Sequence, residues 1–149
     1  MLELLEVRLN VERISLRRFL RNGSGGPAVT GRLHDAVQTM RHAASAQDRL
    51  AFCRADLAFH GGLVQLSDSL MLKPIWGSLS RGVLVFLMRE RELAFDFAES
   101  VQDHTFLLDL LESGSELAVE REIERHIYSA ARNYRQGRGP RMLQEKRSA

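Results

Sequence analysis

The chain has 149 residues, the size of one domain, and its 44% hydrophobic and 27% charged content suits a single buried core and excludes a fibrous or disordered protein. Its one cysteine, Cys53, excludes an internal disulfide framework, and the longest apolar run, Val83 to Met88, is far shorter than the ~20 residues that span a bilayer. The formal charge of +2 is uneven: from Arg132 onward six bases face one acid, so a +5 tail follows a body of −3, and the pI of 9.1 is no footprint of a nucleic-acid-binding domain.

Leu2, Leu5, Leu9, Leu16 and Leu20 recur at helical spacing and predict a first helix over 2–21, which Asn22-Gly23 and the following Gly-rich stretch to Pro27 terminate. Leu33, Val37 and Met40 mark a second helix over 31–46, with His34 and His42 towards solvent. Asp48 is an N-cap for a third helix over 49–66, whose apolar stripe of Phe52, Phe59 and Leu63 also holds Asp56 and His60. Ser67-Asp68-Ser69 reads as a turn and cap. A fourth helix is expected over 69–95 with Pro74 in its first turns, a fifth over 97–112, and a sixth from Ser115 to about 135. Gly, Pro and charge dominate from Gly137, so 1–136 is expected to form the domain and 137–149 a basic, disordered tail. Without strand-like alternation, the fold class is all-α, an antiparallel bundle of about six helices. The start, Met1-Leu2-Glu3-Leu4, has neither a basic region nor a cleavage site, so a cytoplasmic setting is expected.

Asp56 and His60 stand four apart and share one helix face. His104 lies between Val101 and Leu108 on the fifth helix, and His126 between Ile123 and Ala130 on the sixth. A histidine on an apolar face is most often a packed core residue. A buried carboxylate, in contrast, costs several kcal/mol (roughly) unless it is paired or coordinated. One carboxylate and three imidazoles on three helices would compensate one another, and they are also a sensible ligand set for a first-row divalent ion.

Asp56-Leu57-Ala58-Phe59-His60 resembles the D-x-x-F-H motif of the FCD domain, the ligand-binding domain of one subfamily of GntR-type bacterial transcription regulators. Glu6-Val7-Arg8 followed by Glu12 resembles that domain's opening E-V-R-x-x-x-E, and the segment from His104 to Gly114 resembles its H-x-x-L-L-x-A-L-x-x-G-D. Ser67-Asp68-Ser69-Leu70 stands inexactly where the family often has a Gly-Asn-Pro-Leu turn, and His126 falls where its last histidine is expected. The resemblance implies a bundle with a central metal and ligand cavity, with Asp56, His60, His104 and His126 as metal ligands and zinc or nickel as the ion. It further implies a small carboxylate effector met by Arg8, a homodimer, and DNA contact only through a winged helix-turn-helix. This sequence lacks that segment, so it is expected to be either the sensing part of a regulator or a stand-alone protein.

Sensing of an organic acid is therefore the function expected, with a stand-alone metalloenzyme reusing the bundle as the alternative. A catalyst would need a general base near the ion, for which Glu12 and Asp103 are the acids to examine. Glu12 also has the simpler roles of partner to an arginine or solvent-facing residue. Cys53 reads as core packing. The stretch Arg81 to Phe97 mixes aromatic, methionine and arginine side chains, fitting core packing, a cavity wall or a dimer surface.

Overall fold

The computed structural model describes residues 2–23, 27–90 and 96–135. Among them are six helices and no strand: α1 (Leu2–Arg21), α2 (Pro27–Ser45), α3 (Arg49–Leu66), α4 (Leu72–Glu90), α5 (Phe97–Ser113) and α6 (Glu116–Arg135). The all-α expectation holds. The segment from 137 onward, and Phe95 and Arg91 of the mixed stretch, lie outside the described residues.

Local chemistry sets the helix ends. Asp48 caps α3 by accepting from the Ala51 amide, and Asp96 caps α5 by accepting from Ala98 and Glu99. Gly114 closes α5 with φ +76, a left-handed conformation that glycine adopts without a Cβ penalty. Two helix starts differ from expectation by more than one residue. Helix α2 begins four residues early because Pro27 already has the φ of a first helical turn and needs no amide partner there. Helix α4 begins at Leu72 rather than 69 because Ser69 caps it, its Oγ accepting from the Met71 and Leu72 amides at 3.3 and 3.2 Å. Pro74 does sit in the first turn of α4.

Packing closes a ring. Helix α1 lies against α3 and α6, α3 against α2, α2 against α5, and α5 against α6, while α4 covers α1, α3 and α6. Three ion pairs run α1 antiparallel to α6: Arg13 with Glu124, Arg17 with Glu120, and Arg21 with Glu116. Being at least partly exposed, they are screened by solvent and set register more than stability. The apolar core draws on every helix, from Leu5 and Leu16 through Met40, Phe59, Phe86 and Leu107 to Ile123. Cys53 is buried in it, and Phe97 packs edge-on to Phe52 with centroids 5.0 Å apart. His34 and His42 are exposed. No helix among the described residues is long and apolar enough to cross a membrane.

Candidate metal centre

The ring of helices turns one polar group inward. Asp56 and His60, one turn apart on α3, are 2% and 0% exposed, and His104 of α5 and His126 of α6 are 1% and 9% exposed. Ring centroids lie 5.4 Å apart for His60–His104, 5.1 Å for His60–His126 and 4.4 Å for His104–His126. One nitrogen of each imidazole lies within 4.8 Å of the other two. The Asp56 carboxylate stands beside them, with Oδ2 3.5 Å from His104 Nε2 and Oδ1 3.7 Å from His60 Nε2. All four residues expected from the sequence come together.

Two rings are oriented from behind. His104 Nδ1 is 2.7 Å from the Ser100 carbonyl, which can only accept, so this nitrogen carries the proton and Nε2 the lone pair. His60 Nδ1 is 2.6 Å from Glu12 Oε2, which has the same consequence when Glu12 is ionised. Burial alone would push the Glu12 carboxyl up, but the electrostatic pull of His60 and Arg8 and their hydrogen bonds outweigh it and hold it below the usual carboxylate range. The third ring, His126, has Nε2 3.2 Å from His60 Nε2, while its buried Nδ1 has no hydrogen-bond partner among the described residues. Burial, followed by His104 and His60, pushes the His126 pKa well below its ordinary value, leaving the imidazole neutral. Imidazoles whose far nitrogens donate to a carboxylate or carbonyl, as those of His60 and His104 do, form the donor set that divalent transition metals take. The residues fit a zinc-like ion.

Arg8 and Glu12 are both buried, at 2% and 0% exposure, with Arg8 Nε 2.8 Å from Glu12 Oε1. Glu12 is therefore neither solvent-facing nor available as a base. Asp103 is also engaged, accepting from Arg125 at 2.8 Å on the bundle's outer side, where Arg125 also grips Glu122. A groove of about 610 Å³ opens between α2 and α5, bounded by Arg41, Val101 and Phe106 among others, and none of the four inward residues lines it. The place of Glu12 behind His60 escaped sequence reasoning. The available signal was register: Glu12 continues the stripe Leu5, Leu9, Leu16, Phe19, so its carboxylate had to be buried and partnered.

A family model described as the FCD domain matches residues 3–129, which covers all four inward residues as well as Arg8 and Glu12. A search of curated proteins found no match. With most of its length matched and the helical bundle in place, the chain belongs to the FCD family, the effector-binding domains of GntR-type transcription regulators.

Proposed function

We propose that this domain senses a small organic acid through a divalent transition metal, zinc or nickel, held by Asp56, His60, His104 and His126. The observation that carries the reading is the convergence of a buried carboxylate and three imidazoles, two of them with the lone pair turned inward by Ser100 and Glu12. A cation is what such a set accommodates best, and borderline nitrogen and oxygen donors favour zinc or nickel over magnesium or calcium. When bound, the metal supplies a Lewis-acidic position for an oxygen of the acid.

Arg8 takes the carboxylate. Its Nε is engaged by Glu12, so the Nη edge of the guanidinium fork is the one suited to a bidentate anion. The bundle works in the cytoplasm as a homodimer. Apolar side chains left exposed on the adjacent helices α1 and α4, namely Val7, Ile14 and Val85, support that pairing. In an intact regulator the acid would bias the placement of two winged-helix domains by binding one arrangement of the dimer more tightly. The engagement of Glu12 and Asp103 in ion pairs favours sensing over catalysis.

The test is a thermal-shift screen of small carboxylates on protein saturated with zinc and on protein treated with a chelator. Stabilisation by a carboxylate that requires zinc and falls at least tenfold in affinity in Arg8→Met supports the reading. Equal shifts in chelated protein, or in the Arg8 variant, contradict it.

A further inference from the structure

The network behind His60 extends past the metal ligands to a second helix. Glu12 of α1 uses one carboxylate oxygen on His60 Nδ1 of α3 at 2.6 Å and the other on Arg8 Nε at 2.8 Å. All three residues are buried. We propose that Glu12 is the positioning residue of the metal centre, holding His60 in the tautomer whose Nε2 lone pair faces Asp56, His104 and His126, with Arg8 orienting the carboxylate from its other oxygen. The inference rests on the proposed metal site but makes a separate claim about the protein without metal.

The chemistry is one of proton count. A neutral imidazole has one N–H, and an ionised carboxylate has none, so a 2.6 Å contact between them fixes the proton on Nδ1 and empties Nε2. His104 is set by a main-chain carbonyl of its own helix, four residues earlier, which no side-chain substitution removes. His60 depends on a side chain from a different helix, so its orientation can be lost by changing one residue. The i,i+4 spacing of Arg8 and Glu12 places the guanidinium on the same face of α1 as the carboxylate it holds. A purely structural ion pair tying α1 to itself would not need the 2.6 Å contact to His60.

The experiment is ¹⁵N-detected histidine NMR on the full, zinc-free chain, followed by zinc titration of the wild type, Glu12→Gln and Glu12→Leu. The wild type should show His60 protonated at Nδ1. In Glu12→Gln the single acceptor oxygen goes to Arg8 Nε, which can only donate, so the amide NH2 faces His60 Nδ1 and should move the proton to Nε2 and weaken zinc at least about tenfold. Glu12→Leu should move the proton to Nε2 and weaken zinc by roughly 10–100-fold, the range for lost outer-shell partners. A wild-type His60 protonated at Nε2 overturns the proposal whether or not zinc binds. So does a folded Glu12→Leu with unchanged zinc affinity. Should the leucine variant fail to fold, the glutamine variant decides: a folded Glu12→Gln with the Nδ1 tautomer and zinc affinity both unchanged overturns the proposal. Failure of the wild type to bind zinc, with the Nδ1 tautomer intact, refutes the metal site and leaves the role of Glu12 standing.

Discussion

Replacing His104 with alanine separates a metal ligand from a packed core histidine. The ring is 1% exposed, with centroids 5.0 Å from Phe59 and 4.4 Å from His126. Its loss therefore lowers the melting temperature in either case, and the informative quantity is the increment that zinc adds. With free zinc at one hundred times the dissociation constant, a wild-type site gains about 2.7 kcal/mol. For a domain of this size that raises the midpoint by about 5–11 °C, at roughly 2–4 °C per kcal/mol. A hundredfold weaker site, the least expected when a coordinating group is removed, gains only about 0.4 kcal/mol at the same zinc concentration. The shift then shrinks to about 1–2 °C. Leu111→Ala on the same helix is the control: it removes a fully buried side chain and should cost about 2–5 kcal/mol while leaving the zinc increment intact. Differential scanning fluorimetry of the three proteins, with zinc and with chelator, reads all of this. A His104→Ala increment equal to that of the wild type would refute the role assigned to the ring.

Stability of the zinc-free protein should fall as pH drops below about 6.5, because the unfolded chain then protonates His126 while burial and its histidine neighbours keep the folded ring neutral. The slope expected from this group approaches about 1.4 kcal/mol per pH unit, and urea unfolding between pH 5 and 7 with a flat or opposite trend contradicts it. Glu12, held below its ordinary range despite burial, adds a loss of stability once the pH falls below its unfolded-state value of 4.5. A Cβ at Gly61 would lie 2.9 Å from Nε1 of Trp76, the single tryptophan. Gly61→Ala should thus shift Trp76 emission and cost about 1–3 kcal/mol; unchanged fluorescence would show that the indole has room. Asp48→Ala removes the acceptor for the Ala51 amide at 2.9 Å and should cost about 0.5–2 kcal/mol in urea unfolding, whereas Asp48→Asn should cost little.

The bounds of α1 and α3 were legible because strong local chemistry marks them, Gly23 beyond one helix end and the Asp48 cap before the other. The start of α2 was not, since the glycines beside Pro27 obscure a proline that fits a first helical turn. At α4 the turn and cap at Ser67-Asp68-Ser69 was legible, while the start of the regular helix at Leu72, three residues past Ser69, was not. The metal residues were legible as types at suitable spacing and as motifs. The tautomers of His60 and His104 were not, because they depend on Glu12 across the bundle and on a main-chain oxygen, neither of which a linear pattern records. The Arg8–Glu12 pair was legible as an option from its i,i+4 spacing, whereas the contact of Glu12 with His60 on another helix was not.

Elemental analysis of the wild-type protein, purified without a metal-affinity tag, tests the metal centre most directly. The converging carboxylate and imidazoles predict about one equivalent of zinc or nickel per chain, falling sharply in His60→Ala and His126→Ala. Less than about half an equivalent in the wild type, unchanged in both variants and not raised by incubation with either ion, would contradict it.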